Sequence, residues 1–140
     1  MHDVTHNNNP ALLMLRALVV EDRPDVAMGL ELILKGLGLT VQVAYDAQQA
    51  FQKGADLKPD VIFLDIGLPD ISGYDVCREI RQSDWGGRSF IVALTGRDEP
   101  EDMIRAAHMG FDRHVGKPMA LATLQEILHN VNRGFPGSTG

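Results

Sequence analysis

One cysteine, one tryptophan and two tyrosines are all that the 140-residue chain holds of those types, and each scarcity excludes something. With Cys77 alone no internal disulfide can form, so the fold is not a stapled secreted scaffold. A lone thiol at helical spacing reads as a core residue and suits a reducing cytoplasm, the expected location. Long apolar runs are missing too. The stretch "ALLMLRALVV" is interrupted by Arg16 and ends in Glu21-Asp22, so it reads as a strand rather than a signal sequence. No window approaches the ~18 apolar residues of a membrane span. Positive charge is in deficit, with 13 Lys and Arg against 19 Asp and Glu for a formal net charge of -6. That balance disfavours nonspecific contact with phosphate backbones or anionic lipid, so neither nucleic acid nor membrane is an expected direct partner.

What remains has the composition of an ordinary globular domain, 44% hydrophobic and 23% charged, long enough to bury a core unaided. No repeat, low-complexity tract or long linker divides it. Residues 1–13 and 134–140 read as flexible tails around one domain at 14–133. Within that domain strands and helices alternate. Leu15–Val20 reads as a first strand. Val26, Leu30, Ile33, Leu34 and Leu37 then recur at helical spacing, with Gly36 and Gly38 as stops. "LTVQVAYD" alternates with period two at Val41, Val43 and Tyr45, and Asp46 with Gln49 resembles a capping box opening a helix that runs towards Leu57. The continuous apolar runs "VIFLD" and "FIVALT" suit central parallel strands covered on both faces. Ser72 with Asp75, and Asp98 with Glu101, offer caps for a third and a fourth helix, and Met103, Ile104 and Ala107 give the fourth an apolar face. A short strand near Arg113–Val115 precedes a fifth helix striped by Leu121, Leu124, Ile127, Leu128 and Val131. Five such units predict an α/β fold, a doubly wound five-stranded parallel sheet with five helices.

In such sheets ligands bind beyond the carboxyl ends of the strands. Those ends carry Glu21-Asp22, Asp65, Thr95 and Lys117. Clustered carboxylates repel one another unless a cation joins them, and Mg²⁺, a hard ion preferring carboxylate and phosphate oxygen, is the natural candidate. A phosphoryl group on Asp65 would give Lys117 and the Thr95 hydroxyl their purpose.

At this point the chain resembles a bacterial response-regulator receiver domain of two-component signalling, over roughly residues 14–133, on the ordered set "VVED", "FLDIGLPDISGYD", "ALTG" and "GKP". The resemblance implies the flavodoxin-like receiver fold, with strand order 2-1-3-4-5. It implies that Asp65 accepts a phosphoryl group from the phosphohistidine of a sensor histidine kinase or a histidine phosphotransfer protein, with turnover of no external substrate. Glu21, Asp22, Asp65 and the backbone carbonyl of Gly67 would hold Mg²⁺, Thr95 and Lys117 would read the phosphoryl group, and a cis Lys117–Pro118 bond would place the lysine. The same resemblance allows a weak homodimer through the face formed by the fourth helix, fifth strand and fifth helix.

Two positions depart from the family pattern. His114 stands where a switch tyrosine or phenylalanine is usual, and Gly67 offers no side chain beside Asp65, with Arg97 the other variable neighbour. The style of "GFDRHVGKPM" and "ALTGRDEPED" is close to receivers of hybrid histidine kinases and of single-domain regulators. Asp60, Asp70 and Asp75 lack partners in the pattern and read as turn or cap residues. His2, His6, His108 and His129 show no ligand spacing, and Trp85 in "SDWGGRS" reads as loop packing or a partner anchor. Two other functions compete: a haloacid-dehalogenase-like Mg²⁺ phosphatase, which would carry a second Asp where Gly67 stands, and a non-phosphorylated interaction module.

Overall fold

The computed structural model describes residues 14–96 and 109–132. Five parallel strands, β1 (Arg16–Val20), β2 (Thr40–Ala44), β3 (Val61–Asp65), β4 (Phe90–Thr95) and β5 (Arg113–Gly116), form one sheet in the order β2-β1-β3-β4-β5. Between and after them run α1 (Pro24–Gly36), α2 (Ala47–Leu57), α3 (Gly73–Gln82) and α4 (Leu121–Asn132). The last is the fifth helix expected from the sequence. The expected fourth helix, with Asp98, Glu101, Met103, Ile104, Ala107 and His108, lies outside the described residues, as do Arg97 and both tails.

Successive side chains of a strand point to opposite faces, and the two cores follow that rule. Ala17, Val19, Val61, Phe63 and Val92 join Leu34 of α1 and Leu124, Ile127 and Leu128 of α4 on one side. Leu18, Val20, Ile62, Leu64 and Ile91 join Ala50 of α2 and Val76, Cys77 and Ile80 of α3 on the other. Every residue of β3 is buried, which is why its sequence is continuously apolar up to Asp65.

Several local readings shift slightly. β2 stops at Ala44 although the alternation runs to Tyr45, because the Tyr45 N–H turns to the Gln49 side chain at 3.0 Å while Asp46 Oδ1 accepts from the Gln49 N–H at 2.8 Å. The expected cap at Asp46 forms, but Gln49 reaches back to the Tyr45 N–H rather than to that of Asp46. Ser72 accepts from the Tyr74 N–H at 3.1 Å, not from that of Asp75, whose carboxylate pairs with Arg78 instead. Two members of the expected apolar stripes face outward: Ile33 is 46% exposed and Leu121 53%. Pro24, in the first helical turn, starts α1 without a side-chain cap.

Side chains also reach across elements. Lys53 of α2 donates to the Val43 carbonyl of the outer strand β2 at 2.5 Å. Arg81 of α3 donates to the Gly110 carbonyl at 2.9 Å, the Ser89 carbonyl at 2.6 Å and Asp112 at 2.5 Å, pinning the approaches to β4 and β5. Trp85 packs its ring on α2 so closely that a Cβ at Gly54 would fall 2.2 Å from it. Cys77 is fully buried, and burial, with a further push from the charge of Asp112 against the pull of Arg81, raises its thiol to about 12. At pH 8.5 the native thiol should therefore react with iodoacetamide at least about a thousandfold more slowly than in urea. Mass spectrometry of timed samples checks this, and rapid stoichiometric labelling of the native protein would contradict it.

Candidate functional site

Register alone brings the polar residues together. Val19 pairs with Phe63 and Val20 with Leu64, so one step further sets Glu21 beside Asp65. Likewise Thr95 pairs with Gly116, and the Lys117 N–H donates to the Thr95 carbonyl at 2.7 Å. The Lys117–Pro118 peptide is cis. A cleft of about 570 Å³ opens at this carboxyl edge, with Arg23, Asp65, Gly67, Thr95 and Lys117 in its wall.

Its charges are arranged economically. Glu21 is 1% exposed and Asp65 6%, and buried carboxylates require donors. Each has one backbone donor and a share of one ammonium. Glu21 takes the Arg23 N–H at 3.2 Å and Lys117 Nζ at 2.9 Å. Asp65 takes the Gly67 N–H on Oδ1 at 3.0 Å and faces Lys117 Nζ from Oδ2 at 3.4 Å. Lys117 thus leans towards Glu21. Burial pulls the Lys117 ammonium down, yet the Glu21 hydrogen bond and the Asp65 charge outweigh that and hold it above its ordinary value. Burial pushes the Glu21 carboxyl up, only partly offset by Lys117 and the Arg23 N–H. Both groups therefore keep their protons more tightly, Glu21 because it is buried and Lys117 because two carboxylates surround it.

Asp22, half-buried, completes it: one oxygen from each of Glu21, Asp22 and Asp65 lies within 4.8 Å of the others. Three carboxylates against one ammonium form an all-oxygen set that a hard divalent cation fits. His114 lies on β5 in register with Ala93, half-buried.

Three contributors escaped the sequence reading. Asp70, read there as a turn residue, accepts from the Ala47 N–H at 3.0 Å, tying the turn after β3 to the start of α2. Gly73 abuts that turn so closely that a Cβ would lie 2.5 Å from Ile66 Cα and 2.7 Å from the Asp65 carbonyl oxygen. Arg23 supplies the backbone donor for Glu21. Only Gly73 had a local signal, as a glycine at a helix start. At Gly67, by contrast, a Cβ would meet nothing nearer than Asp65 Oδ1 at 3.7 Å, so the space beside Asp65 is open.

A doubly wound parallel sheet whose carboxyl edge gathers three acids, a threonine and a lysine defines a flavodoxin-like α/β protein with an acidic, cation-ready cleft. The chain belongs to the response regulator receiver domain family, whose profile matches residues 17–129. It is 36% identical over 126 residues to the KDP operon transcriptional regulatory protein KdpE of Escherichia coli K12, covering 90% of this chain and 55% of that protein. To the DNA-binding response regulator MtrA of Mycolicibacterium smegmatis it is 39% identical over 103 residues, 74% of this chain and 44% of that one. The chain spans about half the length of the curated relatives it matches. Among solved structures, a two-component response regulator from Clostridium difficile superposes with a TM-score of 0.80 at 28% identity, covering 86% of this chain and 97% of that one. The receiver domain of a sensor histidine kinase from Pseudomonas aeruginosa PAO1, solved with magnesium coordinated in its active-site cleft, gives 0.77 at 33% identity, covering 85% and 98%. No described helix is long and apolar enough to cross a membrane.

Proposed function

We propose that Asp65 is the phosphoacceptor of a two-component phosphorelay in the cytoplasm. The partner is the phosphohistidine of a sensor histidine kinase or of a histidine phosphotransfer protein. The observation that carries this reading is the placing of Asp65: a buried carboxylate in the wall of a cleft, one oxygen held by the Gly67 N–H and the other turned to Lys117. An Asp65 oxygen attacks the phosphorus, the P–N bond breaks with its electron pair going to the imidazole, and a P–O bond forms. Glu21, Asp22, Asp65 and the Gly67 carbonyl would hold Mg²⁺, which when bound neutralises charge on the phosphoryl oxygens. Lys117 moves from Glu21 to the phosphoryl group and the Thr95 hydroxyl donates to it. Incubation with acetyl phosphate and Mg²⁺ followed by intact mass tests this. One retained phosphoryl group is expected, and none with a folded protein would refute it.

Replacing both Glu21 by Gln and Asp22 by Asn should weaken Mg²⁺ binding at least about tenfold, since two charged ligands go. A carboxyl whose folded pKa is raised above 4.5 contributes stability below that pH and loses it as pH rises through the folded value. At pH 7 the buried Glu21 charge is therefore a cost that Gln removes, and the metal-free variant should melt higher than the wild type. Melting curves with and without Mg²⁺ read both effects, and equal Mg²⁺ affinity would remove the acidic pair from the site.

The phosphoryl group adds about -1.5 to -2 charge. We infer that it shifts the population of the 96–120 region, Thr95 and His114 moving together and changing the surface a partner meets, or the homodimer face. Amide NMR spectra with and without beryllofluoride test this. Changes confined to the turns touching Asp65, with His114 unmoved, would leave a phosphate carrier without a switch.

A further inference from the structure

A second cavity, of about 370 Å³, opens at the opposite edge of the sheet, where β1 begins and the connections into β3 and β4 meet. Arg16, Lys58, Asp60, Trp85, Arg88 and Ser89 supply its polar lining. In a chain of net charge -6, three cations around one carboxylate reverse the local sign. The acceptors are already engaged. Asp60 Oδ2 takes the Arg16 N–H at 2.8 Å and Arg16 Nε at 3.5 Å, and Ser89 Oγ donates to the Pro59 carbonyl at 2.7 Å. The donors are not: the Lys58 and Arg88 side chains and the Trp85 indole N–H have no hydrogen-bond or ion-pair partner among the described residues. The indole is fixed in place by its packing on Gly54. Lys58 ends α2 in the left-handed region at φ 52°, which glycine enters freely and lysine does not. The position keeps a cation where backbone conformation alone favours Gly.

We propose that this cavity binds a phosphate group, either as free polyphosphate or as the diphosphate of a nucleotide. Lys58 and Arg88 pair with its oxygens, the Trp85 N–H donates to it, and Arg16 adds charge from its contact with Asp60. The site is independent of Asp65.

Trp85 is the chain's single tryptophan, so its emission reports on the cavity directly. The test is a fluorescence titration with pyrophosphate and, separately, with ADP. Chelator removes divalent cations so that the Asp65 cleft stays out of the reaction, and sodium chloride holds ionic strength constant. A saturable change is expected in at least one arm. Tighter binding of ADP would assign the ligand as a nucleotide, and equal or weaker binding would assign it as free polyphosphate. Arg88→Gln should weaken binding about tenfold. Lys58→Gly should do the same while raising the melting temperature, because it relieves the left-handed backbone. A mere helix-capping role would raise the melting temperature and leave the titration unchanged. No saturable change in either arm, or variants that titrate as the wild type does, would overturn the proposal.

Discussion

Asp65→Asn is expected to take phosphoryl uptake to background while the protein stays folded. The amide has the same size and keeps an oxygen for the Gly67 N–H, which Asp65 Oδ1 now accepts at 3.0 Å, but it is a poor nucleophile. It also removes one of three crowded carboxylates, so the metal-free fold should lose little. Intact mass after Mg²⁺ and acetyl phosphate reads the first effect, and a melting curve within a few degrees of the wild type reads the second. Undiminished phosphorylation of the variant would move the acceptor elsewhere in the chain.

Gly73→Ala should have the largest effect on stability of any single methyl group near the site. Helix propensity argues for alanine by up to about 1 kcal/mol. Space argues against it: the new carbon would lie 2.5 Å from Ile66 Cα and 2.7 Å from the Asp65 carbonyl oxygen. Both obstacles are backbone, so no side chain can swing aside, and overpacking of this kind costs about 1–3 kcal/mol. Sterics should win, lowering the melting temperature by several degrees. Relaxation can come only from moving α3 or the turn that carries Gly67, so phosphorylation should slow as well. A variant as stable and as reactive as the wild type would mean that the turn is not held against α3.

Much of this was legible from residue order because the site is built by strand ends. A continuous apolar run such as Val61–Leu64 announces a strand buried on both faces, and whatever follows it, here Asp65, must emerge at the sheet edge. The sheet with its order, Glu21, Asp22, Thr95 and Lys117 all follow from that logic with the family pattern added. What could not be read depends on contacts between distant segments. Asp70 meets Ala47 23 residues away, and Lys117 reaches Glu21 across 96. No local pattern says that the lysine leans towards Glu21 rather than Asp65, since burial and donor geometry decide it. Exposure of Ile33 and Leu121 was hidden for a similar reason. Helical spacing marks an apolar face wider than the neighbours available to cover it.

The hydrogen bond from Lys53 to the Val43 carbonyl bears on how this protein behaves in company. β2 ends the sheet, and a terminal strand presents open backbone groups on which another chain can pair and extend the sheet. With one outward acceptor occupied by an ammonium from its own helix, an incoming strand would have to displace that bond and accept a positive charge at the growing seam. A chain whose strands are mostly apolar thereby makes one side of its sheet less open to accretion, with no proline in that strand.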